Sequence, residues 1–359
     1  MSNSSATVAP NDYLFWISVT HFVPQVGFYS SLVLGLILLI LNYFGAQKIF
    51  GTYKYIISIF TTFGMIFATV EIVVYPNVHN YKAAFLFFSF TESFGLSGPR
   101  TKTIPIAGYT FFHSATMALL SVQFIYRYWA VFDVKKLRFF QGFYSLIWVV
   151  YVVFFGFQYS LSTYFFFTLD EVSTEYFREE VFIRYNKNIS DFPATAMVAY
   201  DPIDGTVRWW NVMGIVNLCT VVNTQYAVMI YCGWSMHMQM EDKIKNFSET
   251  LRRHHKQFFK TLILQITTPT IVLFIPITFM IFLPLFNLDV SVPSGVLLCS
   301  FTLYPAMDSI TVMYVVSEYK RTAVRMWKTV RKVWKELNRK KNEAPTATPT
   351  PTVPVETEF

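Results

Sequence analysis

The sequence predicts an all-α membrane protein: a seven-transmembrane helix bundle with its N-terminus outside and a C-terminal amphipathic interfacial helix. Three observations carry this. Seven long apolar segments divide the 359 residues. Hydrophobic residues make up 53% of the chain and charged residues only 14%, against roughly 25% charged in a soluble domain. Lys and Arg are distributed unevenly between the two alternating sets of gaps.

The apolar segments run over residues 13–43, 54–75, 104–130, 143–167, 211–236, 260–286 and 293–317. Each is near or above the ~20 residues a helix needs to cross a bilayer. With the first gap labelled outside, the outside gaps hold Lys82, Arg100, Lys102, Arg178, Arg184, Lys187 and Arg208. The inside gaps, helix ends and tail hold the other 22 of 29 basic residues. The positive-inside rule then sets the orientation. The receptor domain fills residues 13–317, which leaves no room for a second globular domain. The net charge of +7 sits beside the spans on one side. It therefore serves topology and contact with an anionic inner leaflet, not nucleic acid.

The elements follow in order. The extracellular N-terminus, residues 1–12, lacks Lys and Arg, so the first span acts as its own uncleaved insertion signal. Asn3 and Asn188 lie in glycosylation sequons on outside segments, whereas Asn246 lies in one inside and should stay bare. The first outer loop, 76–103, is polar and punctuated by Gly and Pro. The second, 168–210, is the largest and opens with a run of acids. It reads either as a lid over a ligand entrance or as a solvated loop folded on itself. The inner connection 237–259 mixes both charges and predicts helical extensions of the fifth and sixth spans. Residues 318–341 place apolar side chains, Trp327 and Trp334 among them, at helical spacing on a basic background. That pattern suits the membrane interface, with a calmodulin-type target helix as the rival. The tail, 342–359, is rich in Pro and Thr and predicts disorder.

No enzyme motif, cofactor motif or metal-spaced His/Cys cluster occurs. Cys219, Cys232 and Cys299 all fall within spans, so no disulfide can link the outer loops. Glu71 and Asp308 are acids within spans, where burial is costly. Glu71 reads as snorkelling to the outer surface, with ligand contact as the alternative. Asp308 follows Tyr304 and Pro305, and a proline frees a carbonyl and permits a kink. The segment reads as a switch or as a static hydrogen-bond network. Arg127 ends the third span between Tyr126 and Tyr128, with Gln123 one turn before it. Its charge is expected to reach water or polar partners, either setting topology or holding the inner helix ends together. Pro269, Pro276 and Pro284 mark the sixth span as the one that pivots, with Pro269 and Pro276 as its hinge. Tyr109, Phe112, His113, Tyr159, Asn217 and Phe274 are the candidates for lining an outer cavity, each also readable as simple packing. For His113 an interhelical hydrogen bond is the alternative.

Several blocks together resemble a known family. They are Gly51-Thr52-Tyr53-Lys54-Tyr55, Tyr126-Arg127-Tyr128, Tyr231-Cys232-Gly233, and Gln257-Phe258-Phe259-Lys260-Thr261-Leu262 followed by Gln265 and Pro269-Thr270-Ile271. Cys299-Ser300-Phe301, Leu303-Tyr304-Pro305-Ala306-Met307-Asp308 and Tyr319-Lys320-Arg321-Thr322 complete the set. Their order and spacing resemble the Str-type serpentine chemoreceptors of nematodes, a group that includes olfactory receptors. The resemblance covers nearly the whole chain and implies a G-protein-coupled receptor in the plasma membrane of the sensory cilium. It implies a small odorant as ligand and a heterotrimeric G protein as partner. The Tyr-Arg-Tyr set stands where rhodopsin-like receptors carry an acid before the Arg, so an adjacent locking acid is missing. Two other classes compete. A ligand-gated channel of the odorant-receptor type has the opposite orientation, and a seven-helix transporter should show internal repeats.

Overall fold

The computed structural model describes residues 13–45, 52–91, 94–271 and 275–343. Residues 1–12 with Asn3, Phe274, and 344–359 lie outside the described residues. The chain is mostly helical. Its helices are α1 (Leu14–Gly45), α2 (Tyr53–Val74), α3 (Ile104–Phe132), α4 (Leu146–Phe166), α5 (Glu171–Tyr185) and α6 (Trp209–Ile244). They continue with α7 (Glu249–Pro269), α8 (Ile275–Phe282), α9 (Gly295–Cys299), α10 (Tyr304–Val315) and α11 (Ser317–Glu343). By length and composition, 5 helical segments among the described residues can cross a membrane: α1, α2, Gly142–Phe166, α6 and Gly295–Val315. Within the sixth apolar segment α7 ends at Pro269, and α8 begins at Ile275 with Pro276 second.

α3 is the central helix and packs against α2, α4, α6 and α7. That position explains its many buried small and polar residues, Ser114, Ala115, Thr116, Ala118 and Ser121 among them. Small side chains let membrane helices approach closely and hydroxyls join them. Ser121 donates to Gln225 Oε1 at 2.7 Å and Tyr151 donates to the same oxygen at 2.8 Å, tying α3, α4 and α6 together. Gly27 of α1 serves the same end, because a Cβ there would meet Thr302 side-chain atoms at 2.7 Å and its carbonyl carbon at 2.8 Å.

The all-α expectation needs one correction. The loops between spans build a 4-stranded antiparallel sheet in the order β3-β2-β1-β4, from β1 (Asn77–Tyr81), β2 (Ala84–Phe88), β3 (Ala194–Val198) and β4 (Ser291–Val292). Every residue of β2 is buried. Phe85 and Phe87 point into the bundle, where they join Tyr109 and Phe167. Ala84, Leu86 and Phe88 point the other way, against Phe177, Val181 and Tyr185 of α5. Side chains alternate across a strand, so this apolar run is sandwiched between two layers. The first loop is therefore not the polar connection its Gly and Pro suggested.

The second loop folds over this sheet as α5. Its start is capped by Asp170, whose carboxylate accepts from the Ser173 amide at 2.9 Å in a reciprocal capping box. Asp170 also pairs with Arg208. Between sheet and helix lies His79, which is 0% exposed. The Tyr185 hydroxyl is 3.0 Å from its Nδ1, and its Nε2 is 3.3 Å from Glu180 Oε1. Glu180 also accepts from Ser291 Oγ at 2.6 Å and Arg184 Nε at 3.0 Å. Burial opposes the charge on Glu180, but these polar contacts outweigh it and hold the carboxyl at about 2. Burial pushes His79 below the usual histidine range despite the adjacent acid.

At the opposite end, α6 and α7 extend past the apolar core, and Lys256 pairs with Glu241 at 2.7 Å across them. The helix predicted from 318 starts at Ser317. Its first turn is anchored where Tyr319 donates to Asn42 Oδ1 at 2.9 Å. Further on, Trp327, Val330 and Trp334 are exposed.

Candidate functional site

A cavity of about 90 Å³ lies directly beneath the sheet. α3 supplies Tyr109 and His113 at i and i+4, α4 supplies Tyr159, α6 supplies Leu218, and the sheet supplies Phe85 and Phe87 as its roof. Leu298 and Phe301 close the side nearest α9. The rings brace one another. Tyr109 stacks on Phe67 with centroids 5.6 Å apart, and His113 meets Phe301 edge-on at 5.0 Å. His113 and Phe301 also border a smaller void of about 10 Å³ toward the middle of the bundle. A hydrophobic pocket with few polar groups suits a small organic ligand, because those groups fix orientation while burial supplies affinity.

Of the residues picked out as cavity candidates, the structure brings Tyr109, His113 and Tyr159 together. Phe112 is not on the wall; its ring packs against Phe63 at 5.7 Å and Phe111 at 5.4 Å. Asn217 turns toward α4, accepting from Gln158 Nε2 at 2.8 Å and donating to Ser162 Oγ. The helix rotation that decides this depends on neighbours distant in sequence.

Glu71 corrects the snorkelling expectation. It is 0% exposed, and its polar neighbours are the hydroxyls of Tyr109 and Thr302. Neither carboxyl oxygen completes a hydrogen bond of ordinary geometry.

At the other end of α3, Arg127 is only 6% exposed, and its polar neighbours are the tyrosines Tyr53, Tyr126 and Tyr319. Its guanidinium lies between the rings of Tyr53 and Phe258, 3.2 and 3.6 Å from their centroids. Aromatic faces carry negative potential and attract such a cation. Tyr126 braces this cage by stacking on Tyr53 at 5.3 Å. Tyr128 faces outward to Phe132 and Tyr231. Gln123 is buried with its Nε2 unpartnered. In α10, Tyr304 is buried against Phe60 and Pro305 sits beside Gly64. Asp308 accepts a hydrogen bond from Gln265 of α7.

Sequence reasoning assigned no role to Tyr53, Phe258, Gln265 or Gln225. The first three stand inside the blocks quoted above, and their order carried the only signal. Among the described residues no group of three or more His, Cys, Asp or Glu side chains could hold a metal ion.

Long apolar helices that can cross a membrane, an aromatic cavity near one end of α3 and a caged Arg at the other make up the site. Residues 20–324 match the family described as serpentine-type 7TM GPCR chemoreceptor Str. The chain is 35% identical over 303 residues to the G-protein coupled receptor str-33 of Caenorhabditis elegans, covering 83% of this chain and 88% of that one. It is 26% identical over 318 residues to the serpentine receptor class r-10 of Caenorhabditis briggsae, covering 87% and 91%. The chain belongs to the Str family of seven-transmembrane G-protein-coupled chemoreceptors. It is a multi-pass membrane protein of a receptor family, and its relatives support a chemoreceptor role.

Proposed function

We propose that this chain is a chemosensory receptor that binds a small odorant or environmental chemical under the sheet and activates a heterotrimeric G protein at the Arg127 end. The observation that carries this is the shared helix. His113 on the cavity and Arg127 in its aromatic cage lie on α3, separated by roughly 21 Å at 1.5 Å per residue. A ligand that prefers one packing of His113 and Phe301 shifts an equilibrium already present in the bundle. Pro269 and Pro276 are the hinge on which α7 pivots, and Gln265 carries that motion to Asp308 and the Tyr304–Pro305 turn. Loosening of Tyr53 and Phe258 then frees Arg127, and with it the Gln123–Tyr128 segment, for the G protein.

In this reading seven spans cross the plasma membrane: the five long apolar helices, α3, and the α7–α8 pair. The sheet faces outside, with glycans on Asn3 and Asn188. The basic ends face the cytoplasm, where 10 of the 29 basic residues lie from Lys320 to Lys341. The exposed Trp327 and Trp334 of α11 enter an anionic inner leaflet. The sensory cilium is the location that suits such a receptor.

The test is an odorant panel on cells expressing the receptor, read by G-protein activation, with Arg127→Ala checked for surface expression. Agonist response should be lost in the variant. An unchanged response removes Arg127 from the mechanism, and ligand-evoked current without any G protein replaces the receptor reading with a channel.

A further inference from the structure

Resting on the receptor reading above, we infer that the ligand reaches the cavity from within the bilayer, through a vestibule between α6 and α8, and that the vestibule admits neutral, lipid-soluble molecules with a hydrogen-bonding head. A second cavity, of about 270 Å³, lies beside the first. Tyr159, Leu218 and Ile281 belong to the walls of both, so the two spaces meet at these three side chains. α6 lines the second space with Cys219, Val222 and Asn223, and α8 lines it with Ile275 and Thr278. At one end the Tyr226 hydroxyl and Thr270 Oγ1 are hydrogen-bonded at 2.9 Å, which joins α6 to the end of α7.

The two spaces differ in what they open to. No residue lining the first is exposed, and the sheet with α5 above it covers its outer side. In the second, Asn223, Ile275 and Thr278 are exposed. That mouth lies at membrane depth. Trp209 and Trp210 are exposed at the start of α6, and Trp is a residue of the membrane–water interface. Cys219 and Asn223 follow Trp210 by about 14 and 20 Å of helix, inside an apolar layer about 30 Å thick. Val216 and Phe279, also exposed, flank the mouth with apolar surface. A molecule coming from the bilayer needs only to pass Leu218 and Ile281. One coming from above must part the sheet.

The walls select the same chemistry. No Lys, Arg, Asp or Glu lines either space, so nothing there offsets the cost of taking a charge out of water. Polar side chains within spans ordinarily bond to a facing helix. Asn217 does so, with Gln158 and Ser162. Asn223, nearly two turns further on, has no hydrogen-bond partner among the described residues. Its free amide at the mouth receives the head of an arriving ligand. The Tyr159 hydroxyl, also without a partner among the described residues, stands next on the path, where the two spaces meet.

The experiment uses the full-length receptor in phospholipid nanodiscs and two photoreactive probes, a diazirine-bearing hexanol and the corresponding hexyl sulfate. Adducts are mapped by peptide mass spectrometry at set times after mixing. The neutral probe should mark the vestibule at Asn223 or Thr278 first and the cavity at Tyr109 or His113 later, and excess hexanol should suppress both. The sulfate should mark neither. Thr278→Trp fills the mouth and should slow the cavity adducts about tenfold at the same final yield. Ile281→Ala removes the threshold and should speed them. Melting temperatures near that of the wild type show that the variants are folded, and Val222→Trp replaces Thr278→Trp if that one is not. The inference is overturned by cavity adducts without vestibule adducts, by no hexanol-sensitive adducts at either place, by an unchanged rate in the variants, or by equal labelling with the sulfate. In cells, odorant-evoked G-protein activation whose onset ignores the filled mouth defeats the portal but keeps the receptor reading. Adducts that follow the portal, with no odorant activating a G protein, defeat the receptor reading but keep the portal.

Discussion

The guanidinium carbon of Arg127 lies 3.2 Å from the centre of the Tyr53 ring. Phe258 closes the other face, so α2 and α7 clasp the end of α3 through one cation. A desolvated cation–π contact is worth about 2 kcal/mol, enough to bias a two-state equilibrium more than tenfold. Tyr53→Leu should therefore raise basal G-protein activation several-fold, and Tyr53→Phe should not. Signalling normalised to surface receptor checks this, and equal basal activity in both variants would show that the cage is passive.

Gln265 and Asp308 join α7 to α10. Gln265→Leu leaves a buried acid without its donor and should cost about 1–3 kcal/mol, seen as a lower melting temperature. Adding Asp308→Asn should recover part of that loss, since the stranded charge is gone. Additive losses in the double variant would break the coupling.

The cap should weaken in acid in two steps. His79 is held below its usual 6.5 by burial. Below that pH the unfolded chain takes up a proton that the folded cap refuses, so stability falls. Glu180 sits at about 2 instead of 4.5. Its contribution is full above 4.5 and is lost as pH falls toward 2. Hydrogen exchange of the β1 and β2 amides across this range reads both steps. His79→Gln should remove the first and keep the second. Glu180→Gln should cost about 1–3 kcal/mol at neutral pH.

Gly27→Val should sharply reduce folded receptor at the surface. The added atoms would meet the Thr302 backbone at 2.8 Å, and overpacking of this kind costs about 1–3 kcal/mol. Gly108→Val, where nothing lies within 4 Å of a Cβ, is the control and should express normally.

The apolar segments were legible because a bilayer demands long runs of hydrophobic residues, and the ends of the first and second fall close to those of α1 (Leu14–Gly45) and α2 (Tyr53–Val74), whereas α6 and α7 run well past the fifth and sixth. The sheet was not. Phe85 pairs with Met197 and Asn80 with Val292, and no local pattern announces partners that far along the chain. One local signal was present and unread: Asp170 with Ser173 three residues on begins α5 as a capping pair. At the site, Tyr109, His113 and Tyr159 were within reach of helical spacing. Asn217 and Phe112 were not, because their direction is set by Gln158, Ser162 and Phe63 on other helices. For Arg127 the expectation was water or polar partners, and Tyr53 and Phe258, far apart in sequence, are what enclose it.

The antiparallel sheet has a consequence for how the chain is made. β1 is translated early, yet its edge partner β4 at Ser291–Val292 emerges only after six of the seven apolar segments. Until then β1 offers an unpaired edge, and Glu180 lacks the Ser291 hydroxyl. A chain halted before Ser291 would keep that edge open. Completion of the cap is thus a mark of a finished molecule, reached before any ligand is met.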